Sequence, residues 1–290
     1  MYLIILLPVV YFTVFHYAPM YGVQIAFRDF NVGSTILGSP WVGLKHFRRF
    51  FDSFLFWRIL WNTVYLSFYG LLAGFPVPII LAISLHYAKS RRFKKTVQMI
   101  TYAPHFISTV VLVGIILQVF HLRVGLFNGV RELFGAEPVN YLGRPELFAH
   151  IHVWTDVWRG MGWGSIVYLA ALAGVDPEMH EAAIVDGASK LQRIWHIDIP
   201  GILPTAVILL ILNVGRILFL GFEKILLLQN PLNLTASEII QTYVYKIGLQ
   251  SAIPQYSYSS AIGLFASLVS FVLLVAVNRV ARRLGETSLW

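Results

Sequence analysis

The sequence predicts an all-α, polytopic membrane protein with six transmembrane helices, on three observations. Six apolar stretches approach the roughly 20 residues that a helix needs to cross the hydrocarbon core. Of 290 residues, 57% are hydrophobic and 12% charged, giving a mean hydropathy of +0.69, too little polar surface for a water-soluble fold of this length. Basic residues are also concentrated in short connections between the stretches, as they are on the cytoplasmic side of membrane proteins.

The six stretches span residues 1–18, 58–87, 97–121, 150–174, 202–222 and 259–279. The first has the length of a signal peptide but lacks a basic leader, and no small-residue cleavage site follows at His16 to Met20, so it reads as a spanning helix. It begins at Met1 with no preceding tail, as expected of a shortened N-terminus. The second is long and contains Pro76 and Pro78, which predicts tilt or a kink, and Pro104 interrupts the start of the third. Neighbouring helices must then satisfy the carbonyls that these prolines free.

Orientation follows from the loops. Lys89, Arg91, Arg92, Lys94 and Lys95 share one short connection, and Arg279, Arg282 and Arg283 lie at the end of the sixth stretch. With Lys190 and Arg193, ten basic residues fall in about 45 positions on that side and nine in about 103 on the other, which makes both termini cytoplasmic. The outer connections, 19–57, 122–149 and 223–258, carry Trp41, Trp57, Tyr141, Tyr243, Tyr245, Tyr256 and Tyr258. These suit an interfacial belt or, alternatively, an extracytoplasmic docking surface. Topology explains the net charge of +8 better than nucleic acid does, because no long basic stripe is present. The absence of cysteine removes any disulfide framework or thiolate metal site.

Between the fourth and fifth stretches, residues 175–200 read as helix, turn, helix. Asp176 can cap first-turn amides, Pro177 fits the first helical position, and Glu178 complements the positive helix end. Gly187 can supply a left-handed turn, a second short helix can start near Ser189, and Pro200 and Pro204 mark entry into the fifth crossing.

This segment resembles the cytoplasmic coupling loop of bacterial ABC importer permeases, whose pattern is Glu-Ala-Ala, three residues, Gly, nine residues, Ile, one residue, Leu-Pro. Glu181, Ala182, Ala183, Gly187, Ile197 and Pro200 match it. Ile199 replaces the Leu, Ile194 stands where Phe is common, and Asp186 and Ala188 suit the extended pattern. Further residues resemble the oligosaccharide and polysaccharide branch of these permeases: Tyr17 to Gly22, Ala26 to Phe30, Gln229 to Asn233 and Gly285 to Trp290. Within that branch the similarity is greatest to the alginate-importer members, which leaves the sugar itself open.

The resemblance implies a type I importer permease (MetI-like) fold, with residues 1–290 as a single transmembrane domain in the bacterial inner membrane. It implies a second, homologous permease subunit, two ATP-binding cassette ATPase subunits and an extracytoplasmic sugar-binding protein as partners, with lipid around them and no nucleic acid. ATP and Mg²⁺ would be bound by the ATPases and no cofactor by this chain. The short helix would enter a groove on an ATPase, Ala182 and Ala183 allowing close approach, Gly187 permitting the exit and Glu181 capping or pairing with a groove residue.

Charged residues at membrane depth are costly and mark candidates for function. Asp156 and Arg159, three positions apart, are expected to pair on one helix face. Arg216 has no acidic residue within one turn and is expected about 21 Å into the fifth crossing, with Asn213 on its face. Both are candidate pathway residues, as are Gln118, Trp158 and Trp163, since aromatics stack on sugar rings as well as fill helix interfaces. For Arg216, snorkelling or pairing with another subunit is the alternative. His105 and His121 can titrate near the membrane, although lone histidines serve structural roles more often.

No phosphate-cradling glycine loop, His-Glu-x-x-His or nucleophile constellation is present, so the sequence reads as non-enzymatic. The alternatives are a self-sufficient secondary transporter or channel, for which repeat symmetry and midplane carboxylates are expected, and a polytopic enzyme acting on lipid-linked sugar.

Overall fold

The structure, a computed structural model, describes residues 2–219 and 221–283, with side chains from residue 5 onward. In chain order the helices are α1 (Tyr2–Phe12), α2 (Lys45–Phe51), α3 (Phe56–Gly74), α4 (Pro76–Tyr87), α5 (Arg91–Tyr102), α6 (Thr109–Val119), α7 (Leu126–Leu133), α8 (Pro145–Ala173), α9 (Pro177–Val185), α10 (Lys190–Arg193), α11 (Ile199–Gly215), α12 (Phe222–Leu228), α13 (Leu234–Ser237), α14 (Ile240–Tyr245) and α15 (Tyr256–Arg283). The expected Gly285 to Trp290 similarity lies outside the described residues.

Among the described residues, four helices are long and apolar enough to cross a membrane: Ile5–Phe27, Phe56–Tyr87, Lys190–Gly215 and Tyr256–Arg283. Arg91–Phe106 and Thr109–Val119 are apolar enough for a fifth crossing when taken together, but they are bent by 102°, the geometry of a broken span or of a re-entrant loop. Pro104, which cannot donate to a helical ladder, opens a 3-10 turn at the end of α5, the bend follows at extended Ile107 and Ser108, and Ser108 restarts the helix by accepting from the Val111 amide. Around Pro76 the chain instead runs on from α3 into α4, because proline at a helix start has no amide to satisfy. The stretch expected at 150–174 falls in α8 and its C-cap Gly174; the 29 residues of α8 give ample length, but with its charged and histidine side chains it is not among the helices apolar enough to cross.

The helices pack as two units. In the first, formed by residues up to Trp61 with Ile239–Val269, Phe50, Phe51, Phe56 and Phe265 meet largely edge to face. The loop after the first crossing is pinned by its own polar residues. Arg28 donates to the carbonyls of Leu37 and Ser39, and Asp29 lies 2.6 Å from Lys45 and 3.0 Å from His46. The hydrogen bond from Lys45 holds the Asp29 carboxyl below its ordinary value.

In the second unit, Asn62–Glu238 with residues from Ser270 onward, Ala82, Tyr168, Leu172, Ile202 and Ala206 form a core between α4, α8 and α11. Small residues permit the closest crossings, as between membrane helices generally. Gly162 of α8 lies against the backbone carbonyl of Thr101, where any Cβ would collide. Gln229 to Asn233 form a locked turn: buried Asn233 donates to the carbonyls of Leu142 and Leu228, and Asn230 to that of Leu142.

Candidate coupling segment and membrane pathway

The segment 175–200 folds as its local signals dictate. The Asp176 carboxylate accepts from the Glu178 amide at 2.9 Å, and Pro177 opens α9. The helix ends in a Schellman turn: the Ala188 amide donates to the Ala183 carbonyl at 2.8 Å, the Gly187 amide donates to the Ile184 carbonyl at 3.1 Å, and Gly187 adopts φ +79°. Ser189 and Gln192 then form a reciprocal capping box around α10. A π-helical turn over Ile194–Asp198 leads into α11.

This geometry separates the predicted coupling residues. Glu181, Ala182, Asp186, Gly187 and Pro200 are exposed, Ala183 is half-buried against its own chain, and Ile197 is buried. Alongside Ala182, α9 presents Met179, Ile184 at 55% exposure and Val185 at 87%, with Leu191 and Trp195 exposed just beyond. A short helix carrying so much bare apolar surface between capped ends suits insertion into another protein's groove.

Beneath α9 lies a cluster that the sequence did not single out. His180 Nε2 approaches Asp198 Oδ1 at 3.3 Å, the Tyr87 hydroxyl donates to Asp198 Oδ2 at 2.7 Å, and the His86 ring lies beside that of His180. Nothing local in the sequence links positions so far apart.

The pathway candidates are more scattered. Trp158 lines a cavity of about 770 Å³ with Phe120, Phe127, Tyr141, His150 and Trp154. Its edge is polar, because Trp154 Nε1 donates to the Tyr69 hydroxyl, which in turn sits 2.9 Å from His150 Nδ1. Neither Tyr69 nor His150 stood out in the sequence. Trp163 instead stacks on His105, with centroids 4.4 Å apart. Gln118 is exposed near the end of α6.

Two expectations need correction. The crossing expected over 202–222 ends at Gly215, so exposed Arg216 caps α11, its amide donating to the Asn213 carbonyl, rather than lying within a continuing helix. Asn213 is also exposed. Asp156 does not depend on Arg159, because Lys224 donates to it at 2.7 Å and His152 lies 3.6 Å away. Arg159 reaches instead towards the Thr109 hydroxyl at 3.4 Å.

Residues 74–286, and with them the whole coupling segment, match the family of binding-protein-dependent transport system inner membrane components. The chain belongs to that family. It is therefore a multi-pass inner-membrane permease component and not the part of the system that performs chemistry. This permease is 43% identical over its full length to the polygalacturonan/rhamnogalacturonan transport system permease protein YteP of Bacillus subtilis (strain 168), covering 90% of that protein. It is similar to a chain in the crystal structure of a bacterial ABC transporter involved in import of the acidic polysaccharide alginate. There the identity is 38% and the TM-score 0.91, covering 97% of the permease and 94% of that chain. In the alginate transporter bound to a periplasmic protein carrying alginate pentasaccharide, the values are 37% and 0.92, with 99% and 96% covered.

Proposed function

We propose that this permease forms half of the translocation path of an ATP-driven importer for an acidic oligo- or polysaccharide delivered by an extracytoplasmic binding protein. The observation that carries the reading is similarity over nearly the whole chain, at 38% identity and a TM-score of 0.91, to a chain of the alginate importer. The relative named for polygalacturonan and rhamnogalacturonan supports the same substrate class, since both are uronate-containing polymers.

Residues 1–290 act as one permease domain with six crossings, α8 supplying the crossing whose polar residues face other helices or the path rather than lipid. Both termini and the 175–200 segment face the cytoplasm. A second, homologous permease completes the path, and two ATPase subunits bind ATP and Mg²⁺. Glu181, Ala182, Ala183, Asp186, Gly187, Ile197 and Pro200 form or support the coupling contact. ATP-driven closure of the ATPases moves α9 and turns the path outward, and hydrolysis resets it. Arg216, Asn213, Gln118, Trp158 and Trp163 are the pathway residues of this chain.

The test is reconstitution in proteoliposomes with the neighbouring genome-encoded permease, ATPase and binding protein. Acidic oligosaccharides should stimulate ATP hydrolysis and accumulate inside. Stimulation by neutral sugars alone would refute the substrate class, and uptake without ATPase would refute the mechanism.

A further inference from the structure

Three side chains beneath α9 are used neither by the coupling contact nor by the pathway residues. His86 lies in the last turn of α4, His180 in α9, and Asp198 at the end of the π-helical turn before α11, and one ligand atom from each lies within 4.8 Å of the others. Asp198 is fully buried. Its Oδ2 is satisfied by Tyr87, but Oδ1 is buried with no hydrogen-bond partner among the described residues, as is His180 Nε2 opposite. The two atoms face each other at 3.3 Å, an ion-pair distance, but out of hydrogen-bond geometry, and a hydrogen bond missing at each of two buried polar atoms is costly.

We propose that His86, His180 and Asp198 bind a divalent transition-metal cation of the zinc class. Two ligands about 2.0–2.1 Å from a tetrahedral centre stand roughly 3.3 Å apart, which is the separation of His180 Nε2 and Asp198 Oδ1. Closing His86 onto the same point needs only a small side-chain adjustment from within 4.8 Å. Two imidazoles and one carboxylate favour zinc-like ions, whereas calcium and magnesium demand mostly oxygen. The fourth position is left to water. Tyr87 orients the carboxylate as an outer-shell partner, and Arg193 lies over the Tyr87 ring at 5.8 Å.

The ion would tie α9 to the end of α4 and the start of α11. On the coupling reading above, it therefore restrains the helix that answers to the ATPase. The site itself does not depend on that reading.

The tag-free, chelator-stripped complex, titrated with Co²⁺ as a visible probe and then competed with Zn²⁺, tests the site. Wild type should bind one equivalent per chain beyond that bound by the His180→Gln complex, with the visible absorption of four-coordinate cobalt, and Zn²⁺ should displace it. Asp198→Asn should also lose the site. Tyr87→Phe should retain it with affinity lowered about tenfold, and this variant serves if Asp198→Asn does not assemble. Identical cobalt titrations of wild type and His180→Gln would overturn the proposal. Zn²⁺ should slow sugar-stimulated ATP hydrolysis in wild type and not in His180→Gln. Equal responses of the two, with cobalt binding intact, would overturn the restraint on α9 and leave the metal site standing.

Discussion

Lys224 donates to Asp156 at 2.7 Å across 68 positions of chain. The same ammonium donates to the His152 carbonyl and the Thr155 hydroxyl, both at 2.7 Å, so all three of its protons are used. The two partners are unequally buried, Lys224 at 3% and Asp156 at 42% side-chain exposure. Removing the anion strands a buried cation, whereas removing the cation leaves a carboxylate that water can reach. Asp156→Asn is therefore expected to cost about 3 kcal/mol, and Lys224→Met about 1–2 kcal/mol. Thermal unfolding of the assembled complex in detergent should rank Asp156→Asn lower, and the reverse order would contradict the assignment.

Gly187 occupies the left-handed region at φ +79°, and a Cβ there would meet nothing within 4 Å. A substitution is thus penalised by backbone conformation and not by collision. Gly187→Val should cost at least about 1–2 kcal/mol locally and uncouple sugar uptake from hydrolysis. Gly187→Asn, which tolerates this conformation, should retain most uptake. Similar uptake by the two variants in membranes holding equal amounts of complex would show that the turn does not direct α9.

Val185 is nearly bare and Ala182 lies exposed on the same short helix, whereas Ala183 faces its own chain. Val185→Asp and Ala182→Arg should leave insertion intact and weaken ATPase association about tenfold or more, through desolvation of the new charge and overpacking. Ala183→Arg should disturb the permease itself as well. Pull-down of the ATPase by membrane-inserted variants measures this, and wild-type recovery with Val185→Asp would remove this end of α9 from the contact.

Arg216 is exposed at the C-terminal cap of α11, and on the pathway role proposed above it would meet a carboxylate of the saccharide through a charge-assisted, bidentate contact. Arg216→Gln should lower uptake of acidic oligosaccharides about tenfold and of neutral ones much less. Equal losses for both would indicate a structural role, and unchanged uptake of both would place Arg216 outside the path.

The fold of the 175–200 segment was legible because each of its decisions is local. Asp176 caps an amide two residues away, Gly187 closes a turn over carbonyls within five residues, and Ser189 and Gln192 cap each other's backbone. The same holds for Pro104, where the α-helix gives way to a 3-10 turn because proline has no amide to donate. Apolar length likewise announces a crossing without reference to its neighbours.

Pairing of charges within the membrane was not legible in that way. Asp156 has Arg159 three residues along its own helix, and sequence spacing alone favours that pair. The packing of α12 against α6 and of α13 against α8 instead brings Lys224 to Asp156, and only tertiary structure decides which of two cations reaches one carboxylate.

By itself, then, the sequence determined the all-helical membrane character, the capped helix α9 and its left-handed exit at Gly187, because apolar runs, caps and glycine turns act over one or two helical turns. Tertiary structure alone decided that Lys224 neutralises Asp156 and that His86, His180 and Asp198 converge beneath α9. Those outcomes depend on which helices touch, and side chains nearly a hundred residues apart acquire a common environment only when packing supplies it.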